Sequence, residues 1–577
     1  MSMQLVKRMP WLFFGLIIFS FTCALLRTAH AQSTVVNFAD GKTLSASQLN
    51  ALQLAKIDAA NGKGRNLALT GATLDGTSMI VDQTASAVVT AIKSLNTAMG
   101  VPANNLSTLR PEYGAVTRSQ QERNQDTFSL LDFCSIMNVN GSTDNTACYQ
   151  NAIYAVCDGA AGAAPFRSGG ELFVPAGAIV LSQVNIPCNG VHIRNAGNGN
   201  VNSGNLDYRG TVYVSTPGNT GTMFKYTSAS ADYGTGFSFD HAGIDASNMA
   251  AGGTIFDISW TQHSMIGDVS ILNPYNIFKE EGGAANLVED MVVLGLRGTG
   301  FEFWGDASNC GTNNPSVSLA SCNKRADLLR LSRVNMNGAA GHVARCVWWH
   351  DFAQSLQLSN TICESAAIGL QVDCAKSQGN NGEACPAFGR FYDPEFEDCM
   401  LCMKISDAQD LEGHGGYMLG QGTASTNVVQ VVNTNFGAPA TASAKGSYAE
   451  AFRWIGGRFG NSGGPVMSIG VSEFVLTGGH YFSASLSAKD AASALPTIDV
   501  TGVGSTVTPL RGIISDSILC VASGQQPLSI YQGGIRLGSG VGHVHVHDNE
   551  TSSCLMSVLD QSVASGGTST NSLHDNG

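Results

Sequence analysis

Apolar and polar positions along the middle and end of this chain follow one repeating strand pattern. It runs two apolar residues, two turn-type residues, then apolar residues at alternate positions. Met265-Ile266-Gly267-Asp268-Val269-Ser270-Ile271 carries it, and Leu287-Val288-Glu289-Asp290-Met291-Val292-Val293 carries it again 22 residues on, from 266 to 288. A strand motif that returns every 20 to 30 residues or so marks a solenoid, whose repeats bury their apolar face only against their neighbours.

Beyond residue 200 two strand types interleave. In the first type the second apolar residue falls at Ile266, Val288, Leu331, Leu358, Val432, Ile455, Leu476 and Ile514. The second type is apolar-x-apolar, at Phe256/Ile258, Phe301/Phe303, Val347/Trp349, Leu370/Val372, Met403/Ile405, Met467/Ile469 and Ile498/Val500. One copy of each makes a coil, and excess length sits in polar loops at 306–326 and 374–391. A sandwich would need hairpin turns between neighbouring strands, and few are present. The expected fold class is all-β: a right-handed single-stranded parallel β-helix solenoid.

Upstream of the coils, Leu131-Asp132-Phe133 precedes Asn140-Gly141-Ser142-Thr143-Asp144-Asn145-Thr146-Ala147 and an expected helix over 148–157. Gly169-Gly170-Glu171-Leu172-Phe173-Val174-Pro175-Ala176-Gly177 and Ile179-Val180-Leu181-Ser182 follow. This succession resembles the N-terminal entry of the pectate-lyase-like superfamily, in its rhamnogalacturonase/epimerase-like branch, which phage tailspikes also use. The family pattern is a DFGA-like turn, a DG-x-TDdT-A turn, a capping helix and GG-x-φ-φ-φ-P-x-G. Cys134-Ser135 stands here where the family has Gly-Ala. The resemblance implies a helix that covers the open end of the first coil and hides a sheet edge.

Three expected regions follow. Residues 1–31 read as a signal peptide: Lys7 and Arg8, a 16-residue apolar run over 11–26 that is short for a membrane span, and Ala29-His30-Ala31 as the cleavage site. Residues 32–125 form a low-charge, partly helical extension, with helical spacing at Val88, Val89, Ile92 and Leu95. Phe38-Ala39-Asp40-Gly41-Lys42-Thr43-Leu44-Ser45-Ala46 within it looks like the start of phage tail-fibre and tailspike proteins. Residues 126–577 form the β-helix. The mature protein is expected to be secreted or periplasmic, with no membrane contact after signal cleavage.

The 15 cysteines include Cys23 in the signal, and the even remainder reads as disulfides in an oxidising compartment. Cys310/Cys322, Cys374/Cys385 and Cys520/Cys554 are suitable local pairs. Cys399-Met400-Leu401-Cys402 reads as a structural thiol or disulfide pair rather than a zinc site. A net charge of −13 without a basic block disfavours nucleic acid as partner. Hydrophobic content of 43% is ample for a core.

Strand alternation then fixes which side chains leave the core. In the second strand type the middle residue and the one after the second apolar position point outward. Successive coils present Glu302 and Trp304, Trp348 and His350, Gln371 and Asp373, then Lys404 and Ser406. Glu302, Trp348 and Gln371 should form one column. Glu302 and Asp373, two coils apart, would have β-carbons roughly 9 to 10 Å apart. Paired carboxylates at about 5 to 9.5 Å serve glycosidic hydrolysis as acid and base or nucleophile. The expected catalytic residues are Glu302, Asp373 and His350, with Trp304, Trp348, Gln371 and Lys404 binding substrate through flat apolar faces and polar handles. The bland alternative is a solvated ladder.

Three other groups stand out. Glu395, Glu397, Asp398 and His414 form a second candidate, and Gly413-His414-Gly415 resembles the GHG of polygalacturonases. That family's Asn-Thr-Asp, Asp-Asp and Arg-Ile-Lys strings are absent, so a structural loop histidine is the competing reading. His543, His545 and His547 share a face, either as a polar ladder or as metal ligands. Asp268 and Asp290 stack in a turn, where capping turn amides is the expected role and calcium the lesser one. No resident metal or cofactor is expected, except Ca2+ if the chemistry is that of a lyase.

The function expected is an exported polysaccharide-active protein, a glycoside hydrolase or polysaccharide lyase acting on a cell-wall or capsular polymer. The alternatives are a non-catalytic glycan-binding or tailspike/adhesin-like surface protein and a structural β-helix in an envelope assembly. A homotrimer is implied only by the tailspike resemblance. The sugar, its linkage and the stereochemical outcome stay open.

Overall fold

The computed structural model describes residues 107–108, 118–119, 127–134, 140–157, 169–199, 201–202, 205–206, 209–226, 234–305, 326–351, 353–373, 386–432, 452–471, 473–488, 493–500, 511–521, 532–563 and 569–576. The expected signal peptide, the helical stretches of the extension, the tail-fibre-like stretch and the Cys310/Cys322 and Cys374/Cys385 pairs lie outside them. By compactness the chain divides into Met1–Asp126 and Thr127–Gly577. Within the first unit, Ser107–Thr108 pairs antiparallel with Arg118–Ser119.

The second unit is a parallel solenoid. Among the described residues its coils build one sheet of 13 strands and another of 26. The two strand types read from sequence occupy different sheets. Ile266, Val288, Leu331 and Leu358 are register partners in the larger sheet. Phe301, Val347, Leu370 and Met403 are register partners in the smaller. Both rows are buried and face each other across one continuous core. Each coil thus covers the apolar face of the last.

Two assignments of the first strand type change. Val432 belongs to the smaller sheet, in register with Ser406. At Ile455 the inward position is its neighbour Trp454, and Ile455 points out at 43% exposure. Both sites hold apolar residues side by side, so alternation alone could not choose between them.

The larger sheet bends where single residues adopt positive φ, at His241 (57°), Asp268 (49°), Asp290 (51°), Arg333 (53°), Asn360 (48°) and Asp393 (46°). Short polar side chains tolerate this conformation best. Among the described residues no turn amide donates to the Asp268 or Asp290 side chain, the role expected of them. Asp268 accepts from Asn198 Nδ2 at 2.9 Å, and Asp290 forms a two-point ion pair with Arg333 at 2.6 and 2.7 Å.

Helix α1 (Thr146–Val156) lies within two residues of its expected bounds. Tyr149, Ala152, Ile153 and Val156 are buried at i, i+3, i+4 and i+7, one apolar stripe laid on the solenoid end. Asp144 Oδ1 accepts from the Thr146 N–H at 2.9 Å, satisfying one of the helix's orphan donors. Disulfides Cys134–Cys148 and Cys157–Cys188 tie both helix ends to the coils. Cys134, which stands in place of the glycine of the resembled pattern, is thus an anchor. Cys346–Cys363 and the expected Cys520–Cys554 are also formed. Cys399 and Cys402 are buried thiols. Among the described residues no helix is long and apolar enough to cross a membrane.

Candidate functional site

Five consecutive strands of the smaller sheet build the expected face: β1 (Asn276–Glu281), β2 (Thr299–Trp304), β3 (Arg345–His350), β4 (Ile368–Asp373) and β5 (Leu401–Ser406). In β2 to β5 the apolar pairs turn inward and leave the intervening residues on the outer surface. Register places Lys279, Glu302, Trp348, Gln371 and Lys404 in one column. Glu281, Trp304, His350 and Asp373 form the next.

Side-chain contacts knit the two columns together. The His350 ring stacks between Trp348, at 4.0 Å and 27°, and Trp304, at 5.7 Å and 4°. The Arg345 guanidinium lies 4.2 Å from the Trp348 ring centre, at cation–π range. His350 Nε2 is 3.4 Å from Glu302 Oε1 and Nδ1 is 3.1 Å from Asp351 Oδ2. Lys279 Nζ is 3.8 Å from the other Glu302 oxygen. Asp373 accepts from Trp348 Nε1 at 3.2 Å and from Gln371 Nε2. Lys404 follows Gln371 by one coil and has no carboxylate within 4.0 Å among the described residues.

Burial favours the neutral form of His350, but hydrogen bonds to Asp351 and Glu302 and their negative charge outweigh it. The histidine's pKa is therefore raised above its ordinary value. Burial lowers that of Arg345, with the Asp373 and Glu302 charges opposing. Two buried polar atoms here lack a partner: Gln371 Oε1, in a residue only 8% exposed, and Arg345 Nε. Such orphans are uncommon in folded interiors. One is an acceptor and the other a donor, the complement of a hydroxyl-rich ligand.

Lys279, Arg345 and Asp351 were not singled out in sequence. Lys279 was hidden because its strand reads Phe278-Lys279-Glu280, with a glutamate at an inward position. Glu280 is fully buried, and neither of its oxygens has a hydrogen-bond partner. Asp351 carries a signal in hindsight: it directly follows His350 at the strand end.

The second candidate group divides. Glu364 stacks on Glu397 from the neighbouring coil, and Asn337 Nδ2 donates to Glu364 Oε2 at 2.8 Å. Partial burial first, then the charges of Glu395 and Glu364, hold the Glu397 carboxyl above its ordinary pKa. Asp398 pairs with His342 at 2.8 Å. His414 stands apart from them, bonded to Glu412 at 2.7 Å and stacked on Tyr392 at 5.6 Å. In the C-terminal group His547 pairs with Asp548 at 2.9 Å, and its strand partner is His574. Among the described residues no three or more His, Cys, Asp or Glu side chains are grouped to hold a metal ion.

No family model matches the chain. Over 88 residues it is 46% identical to the tail spike protein of Shigella phage Sf6, a match covering 14% of this chain and 12% of that protein. Tailspike protein 3 of bacteriophage CBA120 superposes with a TM-score of 0.51 at 13% identity, covering 84% of this chain and 68% of that one. The A-module of an Azotobacter vinelandii mannuronan C-5 epimerase gives a TM-score of 0.45 at 12% identity, over 78% of this chain and 99% of that one. In fold, the chain is a right-handed parallel β-helix, a fold it shares with tailspike protein 3 of bacteriophage CBA120.

Proposed function

We propose that the chain is an exported polysaccharide-active β-helix protein that cleaves its polymer at the face formed by β2 to β4. The observation that carries this reading is that Glu302, His350 and Asp373 sit on three consecutive coils, with Trp304 and Trp348 both stacked on His350. Trp304 offers a sugar-binding face, and Trp348, whose ring carries His350 and Arg345, holds the polar groups of the site in place. Glu302 and Asp373, on opposite sides of the His350 coil, share the acid and base roles of glycosidic hydrolysis. Gln371, Arg345 and Lys404 bind sugar hydroxyls or an acidic substituent. A lyase version would use a base from the same face with Arg345 or Lys404 stabilising the anion, and Ca2+ would then be the group to test.

Reducing-end release and absorbance of unsaturated uronate over a polysaccharide panel test this reading. Release lost in Glu302→Gln and in Asp373→Asn supports it. Release that survives both variants but is lost in Glu397→Gln moves the chemistry to the Glu364/Glu395/Glu397 face, whose raised Glu397 carboxyl suits a general acid. A second reading, a non-catalytic glycan-binding surface protein, is favoured by the 46% identity with a phage tail spike over 88 residues. Retained glycan binding without any turnover would establish it. A homotrimer belongs to either reading, and sedimentation of the mature protein decides it. Export with loss of 1–31 is checked by N-terminal sequencing of secreted protein.

A further inference from the structure

His350 is held from both sides. Asp351 Oδ2 lies 3.1 Å from Nδ1 and Glu302 Oε1 lies 3.4 Å from Nε2, the latter a long contact of the kind that tightens when substrate binds. The residue is 7% exposed, and its ring lies between Trp304 and Trp348, so it cannot turn without breaking both stacks. Asp351 is equally buried and adopts a φ of +35°, a strained conformation for a non-glycine residue that persists only where the surroundings enforce it. Here the Asp351 N–H donates to the Asp373 carbonyl at 3.3 Å and its carbonyl accepts from Gly305 at 2.8 Å. The backbone of the site thus fixes the carboxylate that fixes the ring. The charged groups around the imidazole are Glu302, Asp351 and Asp373, with Arg345 at the start of its own strand and Lys279 reaching Glu302 from the far side.

We propose that Asp351 is a positioning residue that pins His350 through Nδ1 and aims its Nε2–H at Glu302, making His350 and Glu302 a proton relay. This rests on the reading that the face cleaves glycosidic bonds. Asp373 takes protein N–H groups on both oxygens, the pattern of an acceptor-only carboxylate. In the proposed sequence Asp373 takes the proton of the attacking water, and the proton for the leaving group comes from the His350 side. In the relay, His350 Nε2 gives its proton to Glu302. Glu302 passes it to the glycosidic oxygen as the C–O bond breaks and that oxygen takes the electron pair. Water adds to the anomeric carbon and its proton goes to Asp373. One water is consumed, two hydroxyl ends form, and the proton on Asp373 returns to His350 through solvent. Asp351 itself carries no proton at any step. The upward direction of the His350 pKa agrees with an imidazolium at rest.

The test is a histidine titration by NMR on the full chain labelled with [13Cε1]histidine, the His350 signal being assigned by its loss in His350→Gln. In the wild type His350 titrates above the ordinary value of 6.5. Asp351→Asn moves that titration down, and Asp351→Glu restores part of the shift. The alkaline limb of the kcat profile moves with it, and kcat falls roughly tenfold or more. An Asp351 that is merely structural would lower the thermal midpoint and leave the titration in place. A wild-type His350 titrating at or below 6.5 overturns the proposal without any variant having to fold. So does a titration unmoved in folded Asp351→Asn. If the titration behaves as expected and no polysaccharide is cleaved, the relay geometry stands and the hydrolase reading falls.

Discussion

The indole Nε1 of Trp348 donates to Asp373 Oδ1 at 3.2 Å across one coil, so an aromatic face and a carboxylate of the site move as one unit. Trp348→Phe keeps a ring under His350 and Arg345 but removes that donor. One lost hydrogen bond to a charged group amounts to about 1.5 kcal/mol, so kcat should fall roughly tenfold with KM little changed. Trp348→Ala also deletes the stacking surface, and KM should rise by about tenfold as well. Steady-state kinetics on the polymer found in the panel separates the two variants. Equal loss in both would mean that the ring, not its N–H, is what matters.

Much of this face was legible in the sequence because alternation within a buried strand leaves little freedom. Once Phe301/Phe303, Val347/Trp349 and Leu370/Val372 are assigned inward, Glu302, Trp348 and Gln371 must stack. What alternation cannot read are positions where the pattern is broken for a reason. Glu280 holds an inward position, which erased its strand from the list of repeats and hid Lys279. Trp454 and Ile455 are adjacent apolar residues, so the register slipped by one. Asp351 lies past the strand end, where a positive φ and a tertiary contact, neither visible in a repeat, place its carboxylate.

Glu280 gives a pH-dependent stability. Burial raises its pKa from 4.5 to about 8, with the nearby Asn286 amide offsetting only part of the cost. The folded protein therefore keeps a proton that the unfolded chain releases between pH 4.5 and about 8, and stability falls as pH rises through that window. Glu280→Gln keeps the shape without the charge. It should stabilise the protein by about 2 to 4 kcal/mol at pH 8 and change little at pH 4. Guanidinium unfolding at the two pH values measures this. A variant equally or less stable at pH 8 would show that Glu280 has a partner that neutralises it.

The Cys346–Cys363 bridge ties β3 to the strand Ile362–Glu364 and closes a loop with a sequence separation of 17. Removing it through Cys346→Ala and Cys363→Ala together should lower stability by about 3 kcal/mol, from restored freedom of the unfolded chain. Both cysteines are fully buried while Glu302 and Asp373 stand at partly exposed positions, so activity at 25 °C should persist while the unfolding midpoint drops. Melting curves with parallel activity assays read both. Lost activity in a folded double variant would show that the bridge sets the position of β3.

Gly413 tests whether the Gly-His-Gly string is chemical or structural. It occupies an inward position, in register with Phe391 on one side and Trp454 on the other. A β-carbon at 413 would lie 2.3 Å from the Trp454 ring. That ring is buried, and its Nε1 donates to the Gly415 carbonyl at 3.0 Å, so it has nowhere to retreat. Gly413→Ala should therefore destabilise the protein by about 1 to 3 kcal/mol through overpacking. Pairing it with Trp454→Phe, which makes room, should recover part of that loss, a coupling that unfolding of the four combinations would reveal. Among the described residues His414→Gln removes the contacts to Glu412 and Tyr392, so both stability and polysaccharide release should stay near wild type. Abolished release in His414→Gln, with the fold intact, would instead assign the chemistry to the Gly-His-Gly string.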